Sequence, residues 1–174
     1  MPTVTLRFRG TRAQLHARLA TLPSILVSAS TKEARNTLAR AGNAVLDVVV
    51  KAFRQKSRGR ADATGLRWQK TARRKVYPHG ILIEKGILVS SLMPAKDPTH
   101  VGTTSHFQVF RLGHGKVEVG TSRPFAALNH KGVPGKLPAR PIWPRLETWP
   151  PTWGQAILTG TAKGFPSLLR ELLQ

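Results

Sequence analysis

A chain of 174 residues without cysteine has no disulfides and no thiolate metal site, whatever its compartment. Its 28 lysines and arginines oppose 8 acids, and the formal charge of +20 repels itself unless a polyanion or an acidic partner lies near. The length suits one domain over residues 1–174 with a real core, and the longest apolar runs, 25–27 and 48–50, are far too short to cross a bilayer.

The chain opens on a clean alternation, with Val4, Leu6 and Phe8 on one side and Thr3, Thr5, Arg7 and Arg9 on the other, which predicts a half-buried strand. This start also lacks the charged-then-apolar order of a signal peptide, so synthesis in the cytoplasm is expected. Gly10 ends the strand, and Thr11 caps a short helix that carries Leu15, Leu19 and Leu22 up to Pro23.

The strongest element follows. Ser30-Thr31-Lys32-Glu33 reads as a capping box, with Ser30 at N-cap and Glu33 at N3. Leu38, Ala41, Val45, Val49, Ala52 and Phe53 fall on one helical face, and Arg40, Asn43, Asp47, Lys51 and Arg54 on the opposite one. A long amphipathic helix over about 31–55 is therefore expected, lying on a sheet or on other helices.

Residues 56–64 are polar, basic and glycine-containing, and read as a mobile loop. The segment from Lys51 to Lys75 holds ten cations in 25 residues against Asp62 alone. A polyanion-facing patch over Lys56, Arg58, Arg60, Arg73, Arg74 and Lys75 is one reading, since clustered cations bind phosphates by releasing counterions. A merely solvated charge run is the other. Trp68 reads as a core or interface anchor. A strand is expected over about 88–95, then a turn at Pro98 and Gly102. Residues 107–112 and 116–121 flank Gly113-His114-Gly115, a three-residue hairpin signal.

Pro124 to Gly132 reads as a strand end running into a rigid loop, with Phe125 and Leu128 as apolar anchors. Gly132 and Gly135 supply unusual backbone angles, and Pro134, Pro138 and Pro141 stiffen an arm over about 133–144 that is extended and unpaired. Beyond it, residues 149–173 are expected to be helical but broken by Pro150, Pro151, Gly160, Gly164 and Pro166. The predicted architecture is α+β: a small, mostly antiparallel sheet with the long helix packed on one face, the proline arm and the broken C-terminal helix.

Catalytic signals are missing. The histidines never reach a metal-ligand spacing, the acids are scattered singly, Ser90-Ser91 lies in no nucleophile elbow, and Gly113-His114-Gly115 is too short for a phosphate loop. No enzyme, cofactor or metal is expected.

An ordered series does carry a resemblance. Phe53, Gly65 with Trp68, Arg73-Arg74-Lys75, Ile81-Leu82, Gly86 with Leu88 and Ser91, Val119-Gly120, Phe125-Ala126 and Pro138-Ala139-Arg140-Pro141 follow one another in a sequence that resembles the virion morphogenesis, or tail-completion and neck, proteins of Mu-like phages. This chain departs from that pattern where Phe125 stands for Tyr, Asn129 for His and Lys131 for an aromatic. The resemblance implies a structural virion protein of the neck or tail, assembled in the bacterial cytoplasm. It implies a homo-oligomeric ring, expected to be hexameric, that joins the head connector to tail terminator or tail tube proteins, with non-specific contact to DNA in the channel. Phe125, Pro138, Arg140, Pro141 and Trp143 become expected subunit-interface residues. The alternatives are a stand-alone basic nucleic-acid-binding protein and, third, a toxin-like nuclease.

Overall fold

A computed structural model describes residues 31–63, 65–68, 87–113, 116–136, 138–143 and 149–173, with Ser24. The expected first strand and first helix, and the cations Arg73, Arg74 and Lys75, lie outside these residues. In chain order the described elements are α1 (Lys32–Ser57), α2 (Ile87–Ser90), β1 (Gln108–Gly113), β2 (Lys116–Thr121), α3 (Pro124–Lys131), α4 (Pro151–Ala162) and α5 (Phe165–Leu173). The fold is α+β, with a two-stranded antiparallel sheet, the long helix packed against it, and a bent C-terminal helix.

Helix α1 starts one residue later than the capping-box reading. Thr31, not Ser30, is the N-cap, and its Oγ1 accepts from Ala34 N at 3.1 Å. Both residues carry the hydroxyl that a cap needs, so the pattern alone does not separate them. The other end is a Schellman turn. Gly59, at φ 75°, donates to Lys56 O, while Arg60 N reaches back to Gln55 O. Asp62 then closes a second small turn, accepting Gly65 N on its carbonyl and Leu66 N on Oδ1. Up to residue 63 the segment read as a mobile loop is thus a folded double turn, with the backbone N–H groups of Arg58, Gly59, Arg60 and Asp62 paired.

The buried surface of α1 is wider than one stripe. Ala39, Leu46, Val48, Val49, Val50, Ala52 and Phe53 are all buried, because the hairpin covers one side of the helix while α4 and α5 cover another. Asn43, expected on the solvent face, is buried as well. Its Oδ1 accepts from Ala95 N and its Nδ2 donates to Ala39 O and Pro98 O, so one fully used amide pins the 95–98 loop to the helix. The expected strand at 88–95 is instead the helical turn α2 and a following turn. Leu88 and Leu92 sit four residues apart and both enter the core, while Ser91 Oγ bonds Leu88 O.

In the hairpin, Phe110 pairs with Val119 and Leu112 with Val117, and these four share the face toward α1. Gly113 pairs with Lys116, so the connection has two residues rather than three. The hairpin sits very close to the helix: a Cβ on Gly42 would meet Val117 Cγ2 at 2.7 Å and Phe110 Cζ at 2.9 Å. Glycine in mid-helix normally costs about 1 kcal/mol relative to alanine, and here the close packing offsets that cost. Gly160 of α4 does the same on the other side, where its Cβ would lie 2.9 Å from Ala44. Gly42→Ala is therefore expected to lower stability by roughly 1–3 kcal/mol despite the better helix propensity, measured by urea unfolding; a gain in stability would show that the hairpin is not seated as described.

Candidate assembly surface

The segment that carries the resemblance is a helix, not a strand end. Arg123 lies in extended backbone at the N-cap, Pro124 takes N1, and Gly132 ends α3 at φ 75° with its N–H on Leu128 O. Proline just inside the start and glycine just past the end match the ordinary asymmetry of helices. The helix turns Ala126 and Asn129 inward and leaves Phe125 and Leu128 outside, 38% and 55% exposed. Neither outer residue anchors this chain's own core. They form an apolar pair one turn apart on the surface.

The proline arm is not free. A turn from Val133 to Lys136, with Gly135 at φ 68°, reverses the chain, which then returns past the end of α3. Arg140 N donates to Asn129 O at 2.7 Å, and Ile142 N donates to His130 Nδ1 at 3.1 Å. The carbonyl of Pro141 accepts from both Lys56 Nζ, at 2.8 Å, and Trp68 Nε1, at 3.3 Å. The expectation of an unpaired arm fails because its backbone amides and carbonyls find partners on α1 and α3. Of the expected interface residues, Arg140 is 3% exposed, Pro138, Pro141 and Trp143 are half-buried, and Phe125 is exposed.

Lys56, read as facing a polyanion, is instead the most deeply placed cation among the described residues. It is 1% exposed, lies 3.1 Å from Asp62 Oδ2 and stands over the Trp68 ring, which in turn meets Phe53 edge-on. Burial lowers the Lys56 pKa, and the carboxylate of Asp62 opposes that by attraction and hydrogen bonding. Arg54, Arg58, Arg60 and Arg67 remain exposed around the same double turn, so the cationic face there is made of arginine.

Removing one member of a buried ion pair costs about 3–5 kcal/mol, whereas replacing both by apolar residues is close to neutral. Asp62→Ala is accordingly expected to destabilise by that amount in urea unfolding. Lys56→Met with Asp62→Leu should recover most of it. Equal losses for the single and double variants would show that the pair is not coupled.

Between the end of β2, α3 and the returning arm lies a groove of about 480 Å³, walled by Ala126, Ile142 and Trp143 and lined by Arg123, His130 and Lys131. The Arg123 guanidinium lies over Phe107, 3.5 Å from the ring centroid, and Phe107 itself adopts φ 74°. A side-chain residue in that region is strained, and the carbonyl of Phe107, accepting Ser122 N at 2.8 Å, helps to hold it. Arg123 Nε is shielded from solvent with no acceptor among the described residues. A larger cleft of about 710 Å³ separates α1 from α4, but Arg40 and Asp47 of α1 and Lys163 beyond α4 all line it, so it carries no single sign of charge.

His130 has its pKa lowered, first by burial and then by the charges of Lys56 and Lys131. The neutral ring is also the form whose Nδ1 accepts from Ile142 N. The unfolded imidazole has the higher pKa and takes up a proton first as pH falls, so acid favours unfolding. Stability from this group is complete above about pH 6.5 and is lost as pH drops through the lower folded value. His130→Asn offers an acceptor that does not titrate, and its urea midpoint is expected to change less between about pH 7 and pH 5. An identical pH slope in the two proteins would remove His130 from the arm's anchorage.

Sequence reasoning missed the groove. Arg123 and Lys131 were readable as cations bracketing Pro124 and Gly132, yet only a helical reading of 124–131 brings them to one groove. Among the described residues, no three His, Asp or Glu side chains gather to hold a metal ion, and no helix is long and apolar enough to cross a membrane. Comparison with family models, curated proteins and solved structures gives no match to this chain.

Proposed function

We propose that this chain is a structural protein of a phage neck or tail-completion layer, a homo-oligomeric ring between head connector and tail that works by shape and charge without catalysis. The observation that carries the reading is the exposure of Phe125 and Leu128 on α3, the helix that holds the Phe125-Ala126 pair of the resemblance. Large apolar side chains paired on a rigid helix suit a subunit contact, where aromatic residues supply most of the binding free energy. The arm is part of each subunit's own core and braces α3 from beneath. The exposed arginines at 54, 58, 60 and 67 face either the DNA channel or an acidic neighbouring ring. Those same arginines favour the second reading, a small nucleic-acid-binding protein that works alone.

Phe125→Ser with Leu128→Ser separates the two. The double variant is expected to keep its circular dichroism and melting behaviour but to lose the oligomer in size-exclusion chromatography. In a phage lacking the gene it should leave heads and tails unjoined in micrographs. Normal particles from a folded double variant would sink the assembly reading. A monomer that binds duplex DNA with a steep salt dependence, lost on neutralising Arg58 and Arg60, would establish the alternative.

A further inference from the structure

We propose that the groove between β2, α3 and the arm seats an acidic, part-apolar segment of a different protein, with a carboxylate of that segment on Arg123. It rests on the reading of α3 as an assembly surface, but the groove and the Phe125–Leu128 face are separate patches that are tested separately.

The groove is single-signed. Arg123, His130 and Lys131 line it, and among the described residues no Asp or Glu does. Arg123 is the built element. Packing over Phe107 at 3.5 Å restrains the guanidinium, so it loses less entropy on meeting a carboxylate than a free arginine does. No carboxylate among the described residues pairs with Arg123, and the guanidinium, whose Nε is itself shielded from solvent, meets the incoming carboxylate through its terminal nitrogens. His130 uses Nδ1 on Ile142 N, which leaves Nε2–H as a donor. Lys131, exposed at the end of α3, adds a charge at the rim.

The walls decide the class of occupant. Ala126, Ile142 and Trp143 are apolar, and a peptide that alternates acids with aliphatic or aromatic residues fills such a space. A phosphate backbone brings no apolar surface to it, and phosphates have the open arginines at 58, 60 and 67 to engage. A second copy of this chain is disfavoured by charge. The chain carries +20 with only 8 acids, of which Asp47, Asp62 and Glu118 already pair with lysines of their own chain.

The test uses the intact protein and a random peptide library in mRNA display. Selected peptides are expected to be enriched in Asp or Glu beside Leu, Phe or Trp. In fluorescence anisotropy the best of them should bind Arg123→Gln roughly tenfold or more weakly. Changing its acids to amides should have a similar effect. Should Arg123→Gln lose its fold, Lys131→Gln and the amide peptide carry the same comparison, with binding to each several-fold weaker. A library that yields no binder, peptides without acidic enrichment, or affinity unchanged in a folded Arg123→Gln protein overturns the proposal. So does a duplex oligonucleotide that displaces the peptide and itself depends on Arg123, since the groove would then be a phosphate site.

Discussion

The ammonium of Lys56 is the point on which three separate pieces of chain converge. It ends the long helix, pairs with Asp62 from the turn that follows, and donates to the carbonyl of Pro141 from the arm. Trp68 closes the same site from the side and shares the Pro141 carbonyl. A buried charge left alone is too costly to keep, so each of these partners must be in place together. That demand converts what looks like loose, basic linker into structure. It also returns the arm to its own subunit, with Ile142 inside the core.

A second constraint is the shape of α1. Most helices of mixed proteins bury one stripe, but this one is enclosed on two sides because glycines remove the obstacles. Gly42 admits Phe110 and Val117 of the hairpin, and Gly160 of α4 admits Ala44. A two-stranded hairpin is marginal alone. Here it gains stability from a helix long enough to back the whole of it. The polar contacts at its margin, Gln108 to Met93 O and Ser91 to Thr121, tie the irregular segment 91–105 to the strands.

The surface left by this arrangement is divided by α3. Its inner residues, Ala126 and Asn129, belong to the subunit, and its outer pair, Phe125 and Leu128, does not. On the flank, Arg123 is held by Phe107 rather than by an acid. The same short helix therefore offers an apolar ridge and a cationic groove, two different chemistries a few residues apart. Both adjoin the arm that Lys56 ties to α1.

Much of this was legible from residue order. Helical spacing gave the long helix, the Gly113-His114-Gly115 turn signal the hairpin strands, and the proline and glycine breaks the C-terminal helix, each to within a few residues. The α+β class followed from those elements. Trp68 reads as a core or interface candidate, and it is buried edge-on against Phe53. What residue order could not decide were the features set by partners distant in the chain. Lys56 and Asn43 look solvated by pattern, and only the approach of Pro141 in one case and of Ala95 and Pro98 in the other makes their burial possible. Residues 88–95 read as a strand by their apolar content, yet no strand lies beside them among the described residues, and Leu88 and Leu92, four apart, reach the core by a helical turn instead. Pro124 to Gly132 carries helix punctuation that its aromatic and small residues obscure, and its helical form alone brings Arg123, His130 and Lys131 to one groove. Local chemistry determined the long helix, the hairpin and the breaks of the C-terminal helix; the tertiary fold decided the form of 88–95, which charges are buried and which apolar residues are left for a partner, because burial depends on what packs against a residue and not on its neighbours in sequence.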